Sequence, residues 1–317
     1  MEALFRKKDL AAFLETLKTF PGEITSCVTL SAKQAKFDSW PAVNPKLVAT
    51  LNELGIEKPY SHQARAINLA LSGKNVVVVT PTASGKTLCY NVPVIHSIME
   101  DSSCRALYLF PTKALSQDQL TEISAITNKL GVPISTFTYD GDTPPQERAK
   151  VRAAGHVIVT NPDMLHTGIL PHHTKWIKLF ENLRYIVIDE LHTYKGIFGS
   201  HLSNVIRRLK RICSFYGSRP TFILCSATIS NPLELAEALI EEHVELVAED
   251  GAPRAEKQVL IYNPPLISKE LGIRGSSLLA TAEIAAQAIT NGISTIVFTR
   301  SRLNVELLLT YIRTNLK

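Results

Sequence analysis

The chain has 317 residues, of which 45% are hydrophobic and 20% charged, a balance that buries a substantial core and excludes a disordered chain. Its length suits one large domain and part of another. An excess of 34 Lys and Arg over 29 Asp and Glu gives a net charge of +5, which suits a polyanionic partner without requiring one.

The chain opens with MEALFRKKDLAAFLETL, an amphipathic pattern with early charges rather than an apolar run ahead of a small-residue cleavage site. No signal peptide is read there, and no apolar run approaches the ~20 residues that span a bilayer. The expected location is the cytoplasm, at the nucleoid if the source is bacterial. Residues 1–45 continue into a Pro-, Ser- and Asn-containing stretch without strand–helix alternation and read as an accessory arm. The five cysteines, Cys27, Cys89, Cys104, Cys213 and Cys225, form no C-x-x-C pair and have no histidines at zinc-ligand spacing, so they read as reduced thiols.

From about residue 46, short β-branched runs alternate with helical patterns. The runs are NVVVVT (75–80), RALYLF (105–110), ISTFTY (134–139), HVIVT (156–160), YIVID (185–189) and TFILCS (221–226). Apolar throughout and separated by helix-length stretches, they predict a doubly wound α/β domain, 46–250, with a mainly parallel sheet covered on both faces. In such a domain ligands bind at the carboxyl ends of the strands. A second punctuation, AEDGAPRAEKQ (248–258), leads into a strand at 259–265, a helix, a strand STIVFT (294–299) and another helix. Residues 251–317 therefore read as the start of a second α/β domain that the chain does not complete.

TPTASGKT (80–87) follows a predicted strand and opens a predicted helix, the setting a phosphate-binding loop needs. Backbone N–H groups of Thr82, Ala83, Ser84, Gly85, Lys86 and Thr87 can cradle phosphates, Lys86 can reach the outer ones, and the Thr87 hydroxyl can ligate Mg²⁺. Thr80 stands where the common pattern has a glycine. The run YIVIDELH then sets Asp189 and Glu190 at a strand end, 103 residues after Lys86. Asp189 is expected to orient Mg²⁺ and Glu190 to act as general base, with Lys86 completing the catalytic set; the plainer alternative is an acidic helix N-cap. The basic run Arg207, Arg208, Lys210 and Arg211 lies on a predicted helix with an apolar stripe through Leu202, Val205, Ile206 and Leu209, and reads as a solvated face rather than a DNA groove.

The strings TASGKT, DELH and SAT (Ser226, Ala227, Thr228), in that order and spacing, resemble the superfamily 2 DEAD/DEAH-box helicases. GIEKPYSHQ resembles their adenine-reading Q motif, with Gln63 the matching glutamine; PTKALSQDQ, TNPDML and IVFTRSR resemble motifs Ia, Ib and IV. TYDGDTP, DELHTYKGIFGSH and NVIRRLKRIC are most similar to the mitomycin repair factor A type of DNA-repair helicase and its eukaryotic relatives. The resemblance implies a RecA-like P-loop NTPase followed by the beginning of a second RecA-like domain. It also implies ATP and Mg²⁺ as cofactors and ATP-dependent 3′-to-5′ movement on single-stranded or partly duplex DNA, with RNA as the alternative track. Motifs V and VI and the family's C-terminal cysteines are absent from these residues, so a nucleotide-binding module without hydrolysis is the rival reading. His192, Ser226 and Thr228 are expected to transmit nucleotide state, although Ser226 to Thr228 also fit a helix N-cap. Thr112, Lys113, Thr160 and Asn161 are expected to hold the nucleic-acid backbone, and Arg300 to reach either nucleic acid or the nucleotide cleft.

Overall fold

The computed structural model describes residues 10–316, so the first nine residues of the amphipathic N-terminal pattern lie outside the described residues. The chain divides into two compact units, residues 33–254 and residues 10–32 with 255–316. This departs from the expected arm in two ways. Helix α1 (Leu10–Lys18) is followed by strand β1 (Glu23–Leu30), and residues 33–45 belong to the larger unit, tied in by the bridges Lys33↔Arg254 and Phe37↔Tyr60.

In the larger unit, α2 (Pro45–Glu53) starts at Asn44, whose Oδ1 accepts the Lys46 N–H, and is followed by α3 (Ser61–Leu71). There follow β2 (Val76–Val79), α4 (Lys86–Glu100), β3 (Arg105–Leu109), α5 (Lys113–Leu130), β4 (Thr136–Thr138), α6 (Pro145–Ala154) and β5 (Val157–Thr160). Short helical turns including α7 (Pro162–Met164) and α8 (Ile177–Glu181) lead to β6 (Leu183–Ile188), α9 (Gly196–Phe215), β7 (Thr221–Ser226), α10 (Pro232–Ile240) and β8 (Glu245–Val247). The seven strands form one parallel sheet in the order β4-β5-β3-β6-β7-β2-β8, as the apolar runs predict. The short edge strand β8 has no counterpart among the predicted runs. It lies beside β2 because Val76 pairs with Glu245 and Val78 with Val247.

Each strand feeds two cores because successive side chains point to opposite faces. Val77 and Val79 pack with Leu107, Leu109, Ile188 and Leu224 on one face. Val76 and Val78 pack with Tyr108, Val187, Ile223 and Cys225 on the other, beneath Tyr90 and Ile95 of α4. With both faces dry and the peptide groups paired along the sheet, the rigid part of the molecule is the platform, and its carboxyl edge is where chain direction reverses.

In the smaller unit β1 pairs antiparallel with β9 (Lys257–Asn263), a partner more than two hundred residues away in sequence. β10 (Leu266–Ser268) and β11 (Ile273–Arg274) form a small antiparallel pair, followed by α11 (Ser277–Thr290) and α12 (Arg302–Asn315), capped by the hydroxyls of Ser276 and Ser301. The strand expected at 294–299 is not formed. No described strand pairs with that stretch, and Ile296 and Phe298 are left 77% and 85% exposed. A β-run needs a ladder partner to satisfy its N–H and C=O groups, and propensity alone does not supply one. Among the described residues no helix is long and apolar enough to cross a membrane.

Candidate nucleotide site

The loop between β2 and α4 is built for close backbone approach. Ala83 and Gly85 both take left-handed conformations, φ 62° and 77°, which turn successive N–H groups toward one side. Only glycine fits at 85, since a Cβ there would stand 2.5 Å from Gln63 Nε2. The loop is braced from within by the Thr80 and Ser84 hydroxyls, 2.6 Å apart and buried. The 15-residue helix α4 starts at Lys86, so its unpaired N–H groups and positive dipole end open on the loop. Lys86 Nζ donates to the carbonyls of Thr80 and Pro81, each at 2.9 Å, leaving one ammonium hydrogen uncommitted.

The acid pair reaches the same place through strand order. β6 and β2 are separated only by β7, and neighbouring strands stand about 4.8 Å apart. Residues following Val79 and Ile188 therefore emerge side by side at the carboxyl edge. Both Asp189 and Glu190 line one cleft of about 580 Å³ with Thr82 through Thr87. Ile56, Ala125 and Ile126 add apolar lining to it. Asp189 is 9% exposed, and burial pushes its carboxyl up to about 6, against the Glu190 N–H and Tyr90 hydroxyl bonds that favour the ionised form. Glu190 sits at φ 54°, ψ 42°, a left-handed conformation that a non-glycine side chain adopts at a cost of about 1–2 kcal/mol, and it makes no helix-capping bond. Glu190 stands at the N-cap position of the turn Leu191–Thr193 without using its side chain as a cap.

Tyr90, which no motif singles out, contacts Asp189 directly and is itself engaged by Gln119. Tyr90 Oη donates toward Asp189 Oδ2 at 3.2 Å and toward Gln119 Oε1 at 2.6 Å, with one hydrogen to share between two acceptors. Tyr90 lies one helical turn after Lys86, a spacing from which it can be found; Gln119 closes the string PTKALSQDQ, which marks the stretch without giving this side chain a role. Gln63, the glutamine matching the Q motif, has both ends of its amide engaged within the chain. Its Oε1 accepts the Tyr60 N–H at 2.8 Å and its Nε2 donates to the Gly85 carbonyl at 2.9 Å, so the side chain clamps the start of α3 to the phosphate loop.

His192 lies 3.2 Å from Glu190 Oε2 through Nδ1, and the same nitrogen faces the Ala227 N–H at 3.4 Å. One ring nitrogen donates or accepts but not both, so these two contacts compete. The link toward β7 thus runs to the backbone of Ala227 and not to the Ser226 or Thr228 side chains. Ser226 Oγ is buried without a partner among the described residues, and Thr228 is exposed. These residues do not cap the next helix either, because the N-cap position of α10 is Asn231.

Of the residues expected to hold a nucleic-acid backbone, Thr112 caps α5 by accepting the Leu115 N–H, and Lys113 is paired with Asp142. Asn161 caps α7 by accepting the Met164 N–H at 2.8 Å. Thr160 is corrected: its hydroxyl is buried and donates to the Tyr139 carbonyl at 2.6 Å, so it does not face outward. Arg300 is exposed in the smaller unit, next to the unformed strand.

The donor set matches a magnesium nucleotide. Among the described residues no group of three or more His, Cys, Asp or Glu is arranged to hold a metal alone. A hydroxyl and a single buried carboxylate are hard oxygen donors suited to Mg²⁺, which keeps several waters and takes further oxygens from phosphates. A carboxyl raised by burial is also one that a cation brings back to its ionised form.

A family model described as DEAD/DEAH box helicase matches residues 60–236, more than half of the chain. The chain belongs to that family. This helicase chain is 52% identical over 309 residues to the uncharacterized ATP-dependent helicase YprA of Bacillus subtilis, covering 97% of itself and 41% of the relative. It is 39% identical to ATP-dependent helicase HRQ1 of Saccharomyces cerevisiae, covering 95% of itself and 28% of that protein. Among solved structures, the DUF1998 helicase MrfA bound to DNA superposes with a TM-score of 0.94 at 51% identity, over 98% of this chain and 42% of MrfA. MrfA has also been solved bound to DNA and AMPPNP. The helicase chain thus spans about two fifths or less of the relatives it matches.

Proposed function

We propose that this chain is the ATP-binding part of a DNA helicase motor that hydrolyses ATP to move 3′ to 5′ along a strand, in DNA repair. The observation that carries the reading is the shared cleft of the phosphate loop and the Asp189–Glu190 pair. The DNA track is supported by the likeness to MrfA, whose structures hold DNA, and by the resemblance to repair helicases. Its work is then on the chromosome, the nucleoid of a bacterial cell. Residues 255–316 are proposed as the beginning of a second RecA-like domain.

In this reading the N–H groups of residues 82–87 bind the phosphates, and Lys86 exchanges a loop carbonyl for an outer phosphate oxygen. Thr87 and Asp189 hold Mg²⁺, which when bound neutralises phosphate charge. Glu190 takes the proton of the attacking water, and its strained backbone fixes where that carboxylate points. Gln63 holds the loop in shape and senses its occupancy through Gly85. His192 passes the state of Glu190 to Ala227 by the competition at Nδ1. Thr112, Lys113, Asn161 and Arg300 contact the strand's phosphates without reading bases.

The test is nucleotide binding and turnover. Lys86→Ala is expected to abolish binding of a fluorescent ATP analogue, and Glu190→Gln to keep binding while stopping turnover. Undiminished nucleic-acid-stimulated turnover in either variant refutes the assignment. Stimulation by single-stranded DNA is expected to exceed that by RNA of equal length; the reverse order makes RNA the track.

A further inference from the structure

The basic run on α9 is not one solvated face. Arg207 pairs with Glu241 at 2.6 Å and Lys210 with Glu242 at 2.6 Å, so these two cations are spent against the end of α10. Arg208 and Arg211 form no salt bridge among the described residues, unlike Arg207 and Lys210. With His201 and Phe198 of the same helix, His166 of the turn after β5 and the Glu241-paired Arg207, they line a groove of about 450 Å³. Asp163 is the one acid in its lining. Arg208 donates weakly to the His166 carbonyl at 3.5 Å, which ties the groove's two walls together and leaves most of the guanidinium free.

Residues 198, 201, 208 and 211 recur every three or four positions or their multiples, hence along one stripe of the helix. From Phe198 to Arg211 that stripe is roughly 20 Å long at 1.5 Å per residue. That length admits several consecutive phosphates of an extended strand. The groove starts beside Pro162 and Asp163, directly after Asn161 at the carboxyl end of β5, the edge on which the nucleotide cleft also opens. At that end Phe198 is 41% exposed, although its ring packs 5.4 Å from Tyr194. An exposed aromatic beside fork-shaped cations is the chemistry of a nucleic-acid strand, in which a base stacks and the guanidinium groups take phosphates.

We infer that the groove between α9 and the His166 turn is a binding site for a nucleic-acid strand, with Arg208 and Arg211 on its phosphates and Phe198 stacking on a base. It rests on the motor reading and extends the strand's path beyond Thr112, Lys113 and Asn161. The cost of the extended path is salt sensitivity, since each neutralised phosphate of a single strand contributes about 0.7 to the slope of log affinity against log salt.

The experiment measures affinity of the protein for labelled single-stranded DNA over a range of salt, with binding of an ATP analogue as the control for folding. The pair Arg208→Gln with Arg211→Gln is expected to make the slope shallower by about 1.4, a loss of about 25-fold near 0.1 M salt relative to 1 M, while nucleotide binding is kept. Arg208→Lys with Arg211→Lys retains the slope. Phe198→Ala weakens binding at all salt concentrations without changing the slope. Should the double Gln variant fail to fold, Arg211→Gln alone, at an exposed side chain, is expected to remove half of the slope change. An unchanged slope in a folded variant overturns the groove while the motor reading stands. A parent protein with no affinity for DNA overturns both, and binding of an acidic peptide at the groove with DNA affinity unaffected overturns the strand as its occupant.

Discussion

Replacing Asp189 by Asn should stabilise the protein at neutral pH, and the gain should disappear in acid. Burial raises the carboxyl from 3.8 to about 6, so the folded protein holds that proton over a range in which the unfolded chain has released it. The sign follows directly. Stability associated with Asp189 is fully present below pH 3.8 and is lost as pH rises through the folded value, because above it an ionised group must be kept buried. A difference of about two pKa units at about 1.4 kcal/mol each gives a cost of about 3 kcal/mol at neutral pH. Asparagine has the same shape, keeps an acceptor for the Glu190 N–H, and does not ionise. Urea unfolding of parent and variant, with divalent cations chelated, isolates the effect, since other carboxylates cancel in the difference. The variant's advantage should grow by about 1.4 kcal/mol per pH unit between roughly pH 4 and pH 6 and then level off. Changed hydrogen bonding to Tyr90 adds an offset that does not depend on pH, so the slope is the test. A difference that is flat with pH refutes the reasoning. Binding of a magnesium nucleotide should favour the parent over the variant.

Three further outcomes concern the groups around that carboxylate. Tyr90→Phe removes a hydroxyl that lowers the Asp189 pKa, and the pH at which the difference levels off should move above about 6; a levelling-off point that stays put removes Tyr90 from the network. Gly85→Ala forces a Cβ onto Gln63 Nε2 at a left-handed position, and should cost at least about 1–2 kcal/mol in thermal unfolding as well as nucleotide affinity, so an unaltered melting temperature contradicts the close approach. Gln63→Glu keeps an acceptor for the Tyr60 N–H but turns a carboxylate oxygen on the Gly85 carbonyl, and should impair nucleotide binding more than Gln63→Ala does; equal binding by the two variants argues against a clamp.

The large sheet was legible because a parallel strand buried on both faces is an uninterrupted β-branched run, and the runs at 75–80 and 221–226 could hardly be anything else. The glycine before Lys86 and the acids after Ile188 were legible because both residue types are costly where they stand unless used. What escaped is pairing at long range. β1 is mostly exposed, so no buried apolar run marks it, and its partner β9 is named only by tertiary structure. The stretch 294–299 has the composition of a buried strand and fails for want of a neighbour. The split of the α9 cations escaped for the same reason, since only the position of Glu241 and Glu242 decides which of four basic residues are neutralised.

Strand order also sets where the string SAT lies. β7 is the last of the central strands in sequence, yet it is inserted between β2, which delivers the phosphate loop, and β6, which delivers the acid pair. Val79 is in register with Ser226, and Ile188 with Leu224, so the chain leaving β7 passes between the two halves of the cleft. Ala227 N–H meets His192 there. If His192 gains a proton on Nδ1 or donates one toward Glu190, the bond to Ala227 is given up, and the segment after β7 loses a tether on the side facing the acids. The proposed coupling needs no movement of the sheet. It needs one nitrogen with two competing partners, beside the strand that lies between β6 and β2.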